Sequence, residues 1–368
     1  MSQLWDLPAP EAGASVRPNA AGLSRAELSE LLRGMGEPAW RGKQLFAGLQ
    51  RQRWTRWDQF TNLAKPLRAR LEAEVALAWP KLLLSQASLD GSTKHIFEFA
   101  DGRQVEGVHM PYEDRVTLCL SSQVGCAMGC TFCATGQMGI IRNLSAAEIV
   151  GQVQAMLIHH DHPLDRPINL VFMGMGEPLH NLDHLMTAFE VLTDPEGLAI
   201  PPRRITVSTS GLVSGIDRLA SYPRRPRLAL SLNATTDEHR SRIMPVNRVW
   251  NLEALAEALA RFPLQSGERI TLEYVLLKGV TDSLEDGRRL AAYARRFPSK
   301  VNLIPFNSHE GSGFLAPDEA RIRALCGLLA DAGITVSVRR SRGQDVAGAC
   351  GQLVRQKSSR TTPSRDQD

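Results

Sequence analysis

The chain has 368 residues, of which 43% are hydrophobic and 22% charged, with a formal net charge of +4. Those values are ordinary for a soluble globular enzyme, and the length suits one large domain plus a smaller one. No apolar run approaches the roughly 20 residues a membrane span needs, and six cysteines in so long a chain are no disulfide framework.

Residues 1–23, with Pro8, Pro10, Gly13, Pro18 and Gly22, predict a flexible leader. Met1-Ser-Gln-Leu-Trp-Asp6 carries neither a basic nor an apolar export region, so a cytoplasmic location is expected. Ser24-Arg-Ala-Glu27 reads as a capping box before an apolar stripe at Leu28, Leu31, Leu32 and Met35. It opens a helical module over residues 24–80. Between Arg33 and Arg70, nine basic residues face two acidic ones, and Trp40, Phe46, Trp54, Trp57 and Phe60 are interleaved among them. Two readings stand: an RNA-binding face of phosphate contacts and stacking rings, or a small core under solvated arginines.

From Leu82 to Met110 the pattern turns to short alternating runs, with Asp90-Gly91 and Asp101-Gly102 as turn signals. Residues 81–115 therefore read as a small antiparallel extension. Glu106 shares a face there with Val108 and Met110. From Val116, strand-like runs alternate with helical ones: Val116–Ser121, Ile168–Met173, Ile205–Ser208, Arg227–Leu232, Ile270–Leu277 and Val301–Phe306. Six βα units predict a parallel sheet in an open, partial barrel over residues 116–354, with Ile334–Val338 as a closing strand. The tail, 355–368, is polar and predicted to be disordered. Cys326 falls in a helical apolar stripe and is expected in the core.

The loop after the first barrel strand holds Cys126-Ala-Met-Gly-Cys130-Thr-Phe-Cys133. Three thiolates at this spacing suit a 4Fe–4S cluster with one iron left open to a second molecule. A redox pair at Cys130 and Cys133, or a four-cysteine zinc site including Cys119, are the rival readings. Against zinc, Cys119 lies in the strand Val116–Ser121, and no second C-x-x-C exists. At the carboxyl ends of the later strands lie Gly174–Pro178, Ser208–Gly211, Ser231–Asn233 and Asn307, where ligands of βα folds collect. Gly176 allows close backbone approach, and Glu177 can accept from an ammonium group.

The cysteine spacing resembles the radical S-adenosylmethionine (radical SAM) superfamily. The longer runs Leu118–Gly136, Met173–Pro178, Ser208–Gly211, Ile243–Asn247, Asn302–Asn307 and Ala349–Leu353 resemble the RlmN family within it. The resemblance implies a partial (β/α)6 barrel, with a small helix-hairpin-helix-like helical domain that helps hold RNA. It implies methylation at adenine C2 in 23S ribosomal RNA and in some tRNAs, where the carbon is too electron-poor to attack SAM directly. Cys126, Cys130 and Cys133 would hold the cluster. Gly176, Glu177, Ser208, Ser231, Leu232, Asn233 and Asn307 would bind SAM, although Asn233 stands where many relatives carry histidine. Cys350 would take a methyl group from one SAM, and a radical from a second would activate that methyl to join C2. Glu106 would remove the C2 proton, and Cys119 would release product by forming a disulfide with Cys350. An outside electron donor such as a flavodoxin system, and a monomeric state, are implied as well. The Cfr family, which modifies C8 of the same adenosine, is the alternative outcome; Gly176-Glu-Pro178 and Ser208-Thr-Ser210 favour RlmN.

Overall fold

Capped helices alternating with apolar strands set the architecture of the computed structural model, which describes residues 17–353 apart from residues 164 and 310. Most of the expected leader and the expected tail lie outside the described residues. Residues 17–23 do not behave as a leader. Ala20–Gly22 forms a buried turn, and Asn19 bridges to Ala76. A Cβ on Gly22 would sit 2.3 Å from the Ala147 nitrogen, so this segment is clamped against the large domain.

Three helices follow, Arg25–Gly34, Trp40–Gln50 and Lys65–Glu74. The first starts at the Ser24–Glu27 capping box, with both reciprocal bonds formed. Phe46 and Phe60 are fully buried and Trp57 nearly so, and these rings build the module's core, whereas Trp40 is exposed. The core reading of the interleaved aromatics is thus correct for most of them. Several of the basic groups are also spent on the protein. Arg41 pairs with Glu37, Lys43 with Glu196, and Arg53 donates to the carbonyl of His162 at 2.7 Å. Gln50 and Gln154, both buried, join the module to the large domain through a 3.0 Å bond.

The antiparallel strands β1 (Lys81–Ala87), β2 (Thr93–Glu98) and β3 (Gln104–Pro111) continue directly into the barrel sheet. β3 pairs antiparallel with β4 (Val116–Cys119). The hairpin of β5 (Gln123–Cys126) and β6 (Gly139–Asn143) stands apart as its own sheet and was not anticipated. The remaining strands are β7 (Ile168–Phe172), β8 (Ile205–Thr209), β9 (Arg227–Ser231), β10 (Ile270–Leu276), β11 (Ser299–Pro305) and β12 (Val336–Val338). With β4 they run parallel in the order β4-β7-β8-β9-β10-β11-β12, and helices connect β7 through β12 on the outside. This is the expected partial barrel of six βα units, closed by β12. Their carboxyl ends open on one rim. Among the described residues, no helix is long and apolar enough to cross a membrane.

Candidate active site

That rim encloses a cavity of about 150 Å³. Cys126, Cys130, Cys133, Gly176, Glu177, Ser208, Ser231, Asn233, Asn307 and Cys350 all line it, although they come from segments more than 200 residues apart. Phe132, Phe172, Met173, Val275, Ile304 and Phe306 supply its apolar wall. A second cavity, lined by Cys119, Met110, Val108, Tyr112, Arg339, Arg340 and Arg342, adjoins it. Cys350 and Met173 line both.

The cysteine triad is placed by the unpredicted hairpin. Cys126 ends β5, and the turn after it returns Cys130 and Cys133 to the same cavity wall. Burial first, and then mutual repulsion, push the Cys126 and Cys130 thiols up; burial dominates at Cys133 as well. Such thiols ionise only when a metal supplies the compensating charge. Among the described residues, the triad's sulfurs are not gathered within 4.8 Å of one another, as ligands of a single ion would be. A cluster distributes its cysteines over separate irons, so the donor set fits it better than zinc.

Glu177 is buried, and burial pushes its carboxyl up. The backbone amides of Ser210 (2.7 Å) and Leu179 (3.1 Å) counter this by donating to it. Gly176 has φ +101°, and a Cβ there would lie 2.6 Å from that of Gln123, so only glycine lets the chain pass. Ser208 donates to Glu273 at 2.8 Å and lies 3.3 Å from the Ser231 hydroxyl. Asn233 has φ +57°, a conformation asparagine tolerates better than most residues. Its side-chain oxygen accepts from Val275 N–H at 3.0 Å, and its nitrogen faces the Met244 sulfur. The Leu232 side chain is fully buried and lines neither cavity, so a part in binding SAM would fall to its backbone. Asn307 donates to Ser341 (2.9 Å) and to the Cys350 carbonyl (3.1 Å), which makes it the tether of the Cys350 loop.

Glu106 is buried on β3 with its carboxylate 3.4 Å from Lys94. It shares its face with Val108 and Met110, which line the second cavity, but lines neither cavity itself. Cys119 ends β4, and its thiol is pushed up to about 12, mainly by burial and then by Cys350; Arg339 opposes this. Arg339 is itself raised, first by Cys350, and it holds Glu273 at 3.0 Å. Cys326 is half-buried and packs against the core rather than lying fully inside it.

Sequence reasoning missed four residues here. Lys94, Glu273 and Arg339 each read as ordinary charges, although Glu273 interrupts an apolar strand and could have been flagged. Arg240 gave no signal, because Asp237-Glu-His-Arg-Ser-Arg242 resembles a solvated helix. It is fully buried, and burial lowers it to about 10. Its guanidinium donates to the carbonyls of Leu232 (2.9 Å), Ser210 (2.6 Å) and Ser231 (3.2 Å) and to the Asn247 side chain (3.0 Å). It thus ties together the carboxyl ends of β8 and β9. Arg240→Met is expected to cost on the order of 4 kcal/mol, since four acceptors lose their donor together. A clear fall in the urea midpoint is the expected reading. An unchanged midpoint would show that water replaces the guanidinium without penalty.

The comparisons agree with this geometry. Residues 120–291 match the radical SAM superfamily, and residues 18–77 match the ribosomal RNA large subunit methyltransferase N-terminal domain. The chain is 46% identical over 354 residues to a dual-specificity RNA methyltransferase RlmN 2 of Myxococcus xanthus, covering 95% of this chain and 93% of that protein. It is 48% identical to the dual-specificity RNA methyltransferase RlmN of Geotalea uraniireducens, covering 89% and 94%. A radical SAM methyltransferase from Sphaerobacter thermophilus superposes with a TM-score of 0.87 at 42% identity, over 91% of this chain and 99% of that one.

Proposed function

Since the chain belongs to the RlmN family of radical SAM RNA methyltransferases, we propose that it methylates C2 of an adenosine in 23S ribosomal RNA and in some tRNAs. The observation that carries the residue roles is that Cys350 lines both cavities, one holding the cysteine triad and the other holding Cys119. Cys126, Cys130 and Cys133 would hold a 4Fe–4S cluster, which would supply the electron for SAM cleavage. Gly176, Glu177, Ser208 and Ser231 bind and orient SAM against the apolar wall. Glu177 is a buried acceptor for its ammonium, and the Gly176 backbone gives it room.

Cys350 carries the methyl group. Its thiol loses a proton, attacks the methyl carbon of one SAM and displaces S-adenosylhomocysteine, while Asn307 holds its carbonyl. With the carried carbon joined to adenine C2, Glu106 accepts the C2 proton. Lys94 beside it holds the carboxylate at 3.4 Å. Gly348, two residues from Cys350, lies 3.6 Å from both Lys94 and Val108 when measured from an added Cβ, so that loop seals the base. Cys119 then attacks the Cys350 sulfur and breaks its bond to the product carbon, which takes up a proton to become the methyl group, and an outside reductant reopens the disulfide. A flavodoxin-type donor and a monomeric enzyme complete the reading. The amino-terminal module, which matches the ribosomal RNA large subunit methyltransferase N-terminal domain, supplies phosphate contacts.

The test of the carrier is a mass spectrum. Cluster-loaded enzyme incubated with SAM without RNA is expected to gain one methyl on the peptide bearing Cys350, and Cys350→Ala to gain none. A methyl group on any other residue would assign the carrier role elsewhere.

A further inference from the structure

Five of the nine histidines, His95, His109, His159, His160 and His162, gather on the outer face of β2 and β3, at the end of the helix Ala146–His159. This is the face opposite Glu106, so the cluster lies outside the chemistry described above. His95 is fully buried. Its Nε2 stands 3.0 Å from Nε2 of His160, and its Nδ1 stands 2.9 Å from the Ser85 hydroxyl. The His159 ring meets the His95 ring edge-on, with centroids 5.2 Å apart. One ring nitrogen from each of His95, His159 and His160 lies within 4.8 Å of the others.

We infer that His95, His159 and His160 form a binding site for a divalent transition metal of the zinc class. Five observations carry this. Two ligand nitrogens 3.0 Å apart are close to the edge of a tetrahedral zinc site, roughly 3.3 Å for bonds of 2.0–2.1 Å. Ser85 accepting from Nδ1 of His95 would leave the Nε2 lone pair facing the cluster, as partners of metal-bound histidines do. His159 is exposed on the last turn of its helix, with room to turn toward the other two rings, and a water would complete the set. The carbonyl end of that helix favours a cation. His109 stacks flat on His160 at 3.7 Å and fixes its ring plane, and no hydrogen-bond partner meets its Nδ1 among the described residues.

An ion there pins β2 to the end of the helix. The opposite face of β2 carries Lys94, which holds Glu106, and the loop after the helix receives Arg53 of the amino-terminal module. The site is therefore a staple between the RNA-binding module, the antiparallel strands and the barrel, made of imidazoles alone and distinct from the thiols.

The test is zinc titration of the full-length, cluster-loaded chain after chelator treatment, followed by calorimetry and by the thermal midpoint. One equivalent of Zn²⁺ is expected to bind and raise the midpoint. His159→Ala, at an exposed position that leaves the fold intact, is expected to weaken binding more than about 10-fold, and Ser85→Ala about 10-fold. Cys350→Ala is expected to bind zinc unchanged, which separates the site from the free thiols. No stoichiometric uptake, or equal uptake in His159→Ala and His160→Asn, would overturn the site. A rise in midpoint retained in both histidine variants would do the same. Loss of uptake without loss of RNA methylation still supports the site, so its failure is separable from that of the proposed reaction.

Discussion

A Cys126→Ala chain, reconstituted anaerobically with iron and sulfide, is expected to produce no 5′-deoxyadenosine from SAM, against steady production by the unaltered chain. The loss should be complete rather than graded. Cys126 ends β5 and lines the same wall as Cys130 and Cys133, and its thiol is held protonated by burial until iron is bound. Two cysteines cannot replace three around a cluster with an open iron. Cys326→Ala is the matched control, since that side chain packs against the core outside both cavities. Production retained by Cys126→Ala would remove the triad from the account.

Cys119→Ala is expected to trap RNA on the protein as a covalent adduct, seen as a protein band that carries RNA through denaturation. The reason is local. Cys119 and Cys350 line one cavity, and each affects Arg339: the guanidinium is raised by both sulfurs and in turn favours the Cys119 thiolate. Burial pushes the Cys119 thiol up to about 12 even with Arg339 beside it, and that guanidinium lowers the cost of forming the attacking thiolate. Substitution leaves Cys350 able to accept a methyl group and unable to let go of the product. Adduct in Cys119→Ala and none in the Cys119→Ala, Cys350→Ala double variant would place the linkage on Cys350. Free turnover by Cys119→Ala would give release to another group.

Much of this architecture is legible in the sequence because its elements are locally consistent. Ser24 and Ser145 announce their helices through capping boxes that are both formed. The parallel strands are short apolar runs, and polar residues at their ends fall on one rim because every strand points the same way. The β5–β6 hairpin was not legible. Gln123–Cys126 and Gly139–Asn143 show no alternation: β5 is buried throughout, whereas β6 is buried only at its last two residues. The aromatics among the arginines were ambiguous for a different reason: rings that stack on bases and rings that fill a small core have the same composition, and only burial separates Trp40 from Trp57.

Long-range polar pairs escaped altogether. Lys94 with Glu106, Arg339 with Glu273, and Arg240 with four acceptors join residues through the fold, and no spacing rule connects them. The histidine cluster was invisible for the same reason as the polar pairs, since its members come from two strands and a helix end.

The central claim is that the residues around these two cavities place a methyl group on adenine C2. The most direct measurement is mass spectrometry of nucleosides from 23S ribosomal RNA and tRNA treated anaerobically with reconstituted enzyme, SAM and reductant. 2-Methyladenosine, absent with Cys350→Ala, is the predicted result. 8-Methyladenosine, or SAM cleavage with no methyladenosine at all, would contradict it.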